Sequence, residues 1–174
     1  KIKIFSLNSN PKLAKEIADY VGVELSKCQV TRFADGEVQI NIEETVRGHS
    51  VFIIQSTDKP VNENYVELFI MIDALKRASA ISINVVMPYY GYSRQDRVEN
   101  IKESFSAKVI GNLLSLPYIS RIFTVDIHAK QTLGCFNIPA IDISTNNFVL
   151  DIIKDKYNNE NTVLVSPDTG NVKT

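Results

Sequence analysis

The stretch Met87-Pro88-Tyr89-Tyr90-Gly91-Tyr92-Ser93-Arg94-Gln95-Asp96-Arg97 puts two arginines, an amide and a carboxylate in one short segment. It follows Ile83-Asn84-Val85-Val86, which reads as a buried strand, and Pro88 and Gly91 mark a turn. A guanidinium fork matches phosphate oxygens two at a time, and its charge does not titrate away. Ligands of open α/β sheets bind in the crevice at the carboxyl ends of the strands. A turn of this composition just past a strand is therefore a candidate phosphate site, with a solvated polar loop as the plain alternative.

Further groups invite chemistry. Phe33-Ala34-Asp35-Gly36-Glu37 sets an aromatic beside two carboxylates and a glycine. Asp-Gly is a hairpin turn signal. The same residues could also stack a flat base on Phe33 while Asp35 and Glu37 accept hydrogen bonds from amino and hydroxyl groups. Asp126-Ile127-His128 spaces a carboxylate and an imidazole two apart, so both face one way if the strand runs on. Such a pair suits a divalent ion bridging phosphate oxygens, and equally a hydrogen-bonded structural pair. Asp168-Thr169-Gly170 spells an aspartic-protease motif, but it occurs once and in an α/β pattern. Asp168 reads better as a strand-end carboxylate for a metal or sugar hydroxyls. His49, beside Gly48, reads as an exposed turn residue.

These groups need elements to place them. Lys1–Phe5 alternates as a strand; Asn10 caps a helix that opens on Pro11, with Leu13, Ile17 and Val21 expected inward. Strands follow at 38–42 and 51–55, and a long helix after Pro60 carries Val61, Tyr65, Leu68, Ile72 and Leu75. After the 83–87 strand, a helix is expected over 103–116 with Phe105, Val109 and Leu113 inward. A strand at 122–125 leads into Asp126. Ser144 caps a last helix with Phe148 and Ile152, and 162–165 reads as a strand into Asp168. Strand and helix alternate throughout, which predicts an α/β fold: a mostly parallel sheet with helices on both faces.

Composition sets bounds. At 174 residues the chain can bury one real core. Net charge of −1 gives no electrostatic reason to expect nucleic acid or a membrane surface as partner. No apolar run is long enough to span a bilayer, and the start carries no signal-peptide pattern. Cys28 and Cys135 share no metal-ligand spacing and read as small buried residues, so a cytoplasmic setting is expected. The sequence holds no P-loop, no G-x-G-x-x-G and no nucleophile elbow.

Taken in order, the motifs closely resemble those of the ribose-phosphate pyrophosphokinases, or phosphoribosyl pyrophosphate synthetases. They are Arg32-Phe33-Ala34-Asp35-Gly36-Glu37, Val46-Arg47-Gly48, Gln55-Ser56-Thr57, Glu67-Leu68, Asp73–Ala80, Gly91–Arg97, Ser106-Ala107-Lys108, Asp126-Ile127-His128-Ala129 and Ser166-Pro167-Asp168. The resemblance implies ATP-dependent transfer of a diphosphoryl group to the anomeric hydroxyl of ribose 5-phosphate. By that likeness Phe33, Asp35, Gly36 and Glu37 contact the base and ribose of ATP from a neighbouring subunit, and Arg94 and Gln95 hold its phosphates. His128 with Asp126 positions Mg²⁺, and Asp168 faces the ribose 5-phosphate hydroxyls and a second ion.

The likeness also implies two phosphoribosyltransferase-like domains assembling into dimers and hexamers. It places an N-terminal domain at 1–143 and the first helix and strand of a second at 144–174. The catalytic loop is expected beyond Thr174, with no residue of this chain in it. Departures from the family pattern stand at Lys102-Glu103-Ser104-Phe105, Cys135-Phe136-Asn137, Ile141-Asp142 and Asn171. The alternative expectation is a non-catalytic regulatory subunit of the same family. Arg94, Gln95, His128 and Asp168 together favour the enzyme, since a pure scaffold has no use for all four.

Overall fold

β-branched runs form the strands of a five-stranded sheet, in the order β1-β4-β5-β6-β7. These are β1 (Ile2–Ser6), β4 (Ser50–Ile54), β5 (Ser82–Val86), β6 (Ile119–Val125) and β7 (Ala140–Ile143). The β1/β4, β4/β5 and β5/β6 pairs are parallel, with Ile4 opposite Phe52 and Phe52 opposite Asn84. A separate antiparallel hairpin joins β2 (Cys28–Arg32) to β3 (Val38–Ile42). The helices are α1 (Pro11–Val21), α2 (Val61–Arg77), α3 (Ser106–Leu114) and α4 (Asn146–Tyr157), with a 3-10 turn at Lys130–Cys135. This computed structural model describes residues 1–115, 118–157, 161–163 and 165. The chain divides into two compact units, Lys1–Asp142 and Ile143–Thr174.

Helices cover both faces, as the alternation predicts. On one face Phe5, Val51, Ile53, Ile83 and Val85 pack with Tyr65, Leu68, Met71 and Leu75 of α2. On the other, Ile4 and Ile54 meet Ala14 and Ala18 of α1. Each fully buried Leu or Ile contributes roughly 1.5–3 kcal/mol relative to exposure. Asn10 accepts the amide of Leu13 at 3.1 Å and starts α1. Gly22, at φ +75, ends it as Val23 N donates to Ala18 O and Gly22 N to Asp19 O.

Several expectations are corrected. The seam of α1 is Ala14 and Ala18; Leu13 and Ile17 flank it and Val21 is exposed, because small residues let the helix lie close to the sheet. α3 begins at Ser106, since Glu103 instead accepts the amides of Glu99 and Asn100. Its buried face is Ala107, Gly111 and Leu114, leaving Val109 and Leu113 exposed. The cause is a close approach: a Cβ on Gly111 would stand 2.4 Å from the carbonyl oxygen of Cys135. β2 and β7, not anticipated, are short and only half-buried.

The second unit carries α4, where Ser144 accepts the amide of Asn146 at 3.3 Å and no residue is buried. No described residue of the expected 162–165 strand lies in a strand, and a strand needs a pairing partner as well as apolar character. Leu164 and Asp168 lie outside the described residues.

Candidate functional site

Parallel pairing puts the carboxyl ends of β4, β5 and β6 side by side, and hydrogen bonds run on past the strands to lock their loops together. Gln55 N donates to Val86 O and Thr57 N to Tyr89 O, tying the β4 loop to the β5 turn. Met87 N donates to Phe123 O and Val125 N to Pro88 O, tying that turn to β6. The turn carrying Arg94 therefore sits between the Gln55-Ser56-Thr57 loop and the Asp126–His128 loop.

Buried tyrosines and Thr57 hold the turn. Tyr65 Oη donates to Gly91 O at 2.8 Å, Gly91 N donates to Thr57 Oγ1 at 2.8 Å, and Tyr90 Oη donates to Ala107 O at 2.7 Å. Burial drives both phenols well above the ordinary tyrosine range, so they stay protonated donors. Tyr92 sits at φ +69, a conformation that costs energy; its carbonyl accepts Gln95 N at 2.9 Å and its hydroxyl donates to Asn62 Oδ1 at 2.6 Å.

Between this turn and the start of α2 lies an open cleft of about 300 Å³. Tyr89, Gly91 and Tyr92 form one wall; Val61, Asn62 and Glu63 form the other, and Arg94 and Gln95 close it. The amides of the first helical turn lack intrahelical acceptors and carry partial positive charge. Arg94 is exposed and in no ion pair within 4.0 Å among the described residues, unlike Arg32, Arg77 and Arg97. Gln95 Oε1 accepts from Ser106 Oγ at 2.6 Å, so the amide nitrogen is the donor left for a ligand. A guanidinium in no ion pair among the described residues, an amide donor and a helix start face one cleft and can bind a polyanion, with Glu63 the carboxylate on its wall.

The strand does not run on through Asp126 and His128. β6 ends at Val125 and Asp126 turns at φ +44, so the two are not presented by strand alternation. Both are exposed at the tip of β6, next to the Arg94 turn in the sheet order. Asp142 fixes this loop, accepting Thr124 Oγ1 at 2.8 Å and Ile127 N at 2.9 Å. No group of three or more metal-ligating side chains occurs among the described residues.

Phe33, Asp35, Gly36 and Glu37 form the tip of the β2–β3 hairpin and do not line the cleft. The hairpin turn that Asp-Gly signals is formed here. Phe33 N donates to Glu37 O at 2.9 Å, Gly36 turns the chain at φ +94, and Asp35 Oδ1 accepts the amide of Glu37 at 3.1 Å. Yet Phe33 is 52% exposed, an aromatic held out from the surface.

Relatives settle the family. The profile for the N-terminal domain of ribose phosphate pyrophosphokinase matches residues 2–116. The chain belongs to the ribose-phosphate pyrophosphokinase family. It is 55% identical over 172 residues to the ribose-phosphate pyrophosphokinase of Bacillus caldolyticus, covering 99% of this chain and 54% of that one. It is 57% identical over 171 residues to that of Bacillus subtilis (strain 168), covering 98% and 54%. The crystal structure of phosphoribosylpyrophosphate synthetase from Mycobacterium smegmatis superposes with a TM-score of 0.87 at 34% identity, covering 90% of this chain and 53% of that chain. The chain thus spans about half the length of the curated relatives it matches, and corresponds to the N-terminal half of this family.

Sequence reasoning passed over Asn62 and the roles of Tyr92, Asp142 and Glu67. Glu67 left a trace, since it falls on the buried stripe of α2 between Asn64 and Leu68. Tyr92 and Asp142 act through backbone conformation and long-range contacts that no local spacing reveals.

Both free cysteines have thiols held above the ordinary range. Burial first, then Glu43 and Glu44, pushes the Cys28 thiol up to about 11, and burial also raises Cys135. So little of Cys28 is thiolate at pH 8 that iodoacetamide should label it about a hundredfold more slowly than an exposed thiol. Intact-mass spectrometry against time measures this; labelling at the rate of free cysteine would show the thiol is not protected.

Proposed function

We propose that this chain supplies the ATP-binding half of a ribose-phosphate diphosphokinase, which makes phosphoribosyl pyrophosphate and AMP for nucleotide biosynthesis in the cytoplasm. The observation that carries the reading is the cleft of Arg94 and Gln95 opposite the start of α2, in a chain of this family. The anomeric oxygen of ribose 5-phosphate attacks the β-phosphorus of ATP. The bond from that phosphorus to the oxygen bridging the α-phosphate breaks, AMP departs, and the hydroxyl proton is lost. Catalysis of this kind is mainly positioning and charge neutralisation.

Arg94 and Gln95 hold the phosphate chain, and the first-turn amides of α2 add partial charge. Phe33 stacks on the base from a neighbouring subunit of a homo-oligomer, dimer to hexamer, while Asp35, Gly36 and Glu37 meet its amino and ribose hydroxyl groups. Asp126 and His128 fit Mg²⁺, which keeps most of its waters and needs only one or two protein ligands beside phosphate oxygens. When bound, the ion offsets the charge of the triphosphate. Asp168 serves the ribose 5-phosphate and a second ion. The catalytic loop belongs to a second α/β domain, of which 144–174 is the beginning.

The test is product analysis. Joined to its second domain, the protein should form AMP from ATP only when ribose 5-phosphate and Mg²⁺ are both present, and the 174-residue chain alone should form none. Folded two-domain protein that releases no AMP would move the assignment to a regulatory subunit, the second reading. Turnover by the 174-residue chain alone would refute the placement of the catalytic loop.

A further inference from the structure

Glu67 is fully buried, yet it carries a carboxylate that the phosphate cleft does not use. Removing such a group from water is costly unless every lone pair finds a donor. Here the donors come from three separate parts of the fold. Arg32 Nη2 donates to Oε1 at 2.6 Å from the last residue of β2, and Asn8 Nδ2 donates to Oε1 at 3.0 Å from the loop after β1. Gln55 Nε2 donates to Oε2 at 3.2 Å from the end of β4. Gln55 is itself fixed, accepting Ser9 N at 3.1 Å and donating to Asn64 O at 3.2 Å.

Arg32 immediately precedes the Phe33 loop, and β2 and β3 share no ladder with the main sheet. The base of the hairpin is tied to β1 by Cys28 Sγ, which donates to Ser6 O at 3.7 Å, and by the Lys3–Glu44 pair, but nearer the tip only Val30 and Ile40 among the described residues rest against the core. Apolar contacts of this kind tolerate sliding, whereas a short charge-assisted bond has direction. A two-stranded hairpin has little rigidity of its own. The Arg32–Glu67 pair is thus a directional tie between the loop bearing the exposed aromatic and the strand-end loops beside the phosphate cleft.

We propose that Glu67 is a positioning residue for base recognition: through Arg32 it fixes where the Phe33 loop stands. The proposal rests on the reading that this loop contacts the base of the nucleotide. Glu67 itself touches no nucleotide. Its neutralisation should weaken recognition of the base while sparing recognition of the phosphates.

The experiment compares binding of MgATP with that of Mg-bound inorganic triphosphate, which has no base, by calorimetry on the full chain. Phe33→Ala should lower the preference for ATP by about tenfold, the range of a lost aromatic–base stack. Glu67→Gln should lower that preference by about fivefold or more, with triphosphate affinity unchanged, and the double variant should lose no more than Phe33→Ala alone. A merely structural role would weaken both ligands alike, and that result would overturn the proposal. Arg32→Lys, partly exposed and still cationic, gives the same readout should Glu67→Gln not fold. A loss in Phe33→Ala with none in Glu67→Gln or Arg32→Lys overturns the role of Glu67 and leaves the base contact standing. No loss in Phe33→Ala removes the base contact and the proposal with it.

Discussion

Arg94→Met is expected to weaken MgATP binding by about two hundredfold or more, because a guanidinium supplies two charge-assisted hydrogen bonds to phosphate, each worth roughly 1.5–3 kcal/mol. Arg94→Lys should keep the charge but lose the fork, for a deficit nearer tenfold. Neither variant should lower the melting temperature appreciably, since Arg94 is exposed and forms no ion pair among the described residues. Calorimetric titration beside thermal unfolding separates the two effects. Undiminished affinity in Arg94→Met would mean that the phosphates lie elsewhere.

Gly91→Ala should damage both the fold and the site. A Cβ at this position would stand 2.5 Å from the carbonyl oxygen of Thr57 and 3.0 Å from Val61 Cγ1. The first of these is backbone, held in turn by Thr57 N donating to Tyr89 O, so it cannot move aside as a side-chain end could. Relief requires the β5 turn to separate from the β4 loop, breaking the bond from Gly91 N to Thr57 Oγ1. Overpacking of this kind costs about 1–3 kcal/mol, which for a chain of this size lowers the melting temperature by roughly 2–12 °C. The displaced turn carries Arg94, so nucleotide affinity should fall too. Gly134→Ala is the control, since a Cβ there meets nothing within 4 Å. Equal melting temperatures for the two variants would show that the close approach at Gly91 is not a constraint.

The architecture was legible because apolar period changes from two to between three and four at most boundaries. The 51–55 and 83–87 runs lie within one residue of β4 and β5. Period did not reveal which side of a short helix faces in. α1 and α3 both turn alanine or glycine inward, where close approach outweighs side-chain area, so the larger apolar residues other than Leu114 end up flanking or outside. β2 escaped notice because Cys28-Gln29-Val30-Thr31-Arg32 is half-buried, its identity set by pairing with β3. At the site, the segment after Val86 announced itself through composition. The residues that shape it did not, because Tyr65 and Thr57 reach it across 26 and 34 residues of chain.

The Asp126–His128 pair shows the same limit from the other side. Spacing placed both on one strand face, but the backbone of Asp126 turns at φ +44 and Asp142 holds the following amide. The pair sits beside the Arg94 turn because parallel β5 and β6 end together, a relation set by topology.

A crystal structure of the protein with Mg²⁺ and a non-hydrolysable ATP analogue tests most directly whether the tips of β5 and β6 receive the nucleotide. The expected result is a triphosphate within hydrogen-bond distance of Arg94 and Gln95, with the ion on the side of Asp126 and His128. A nucleotide bound with its phosphates out of reach of Arg94, however well ordered, would contradict it.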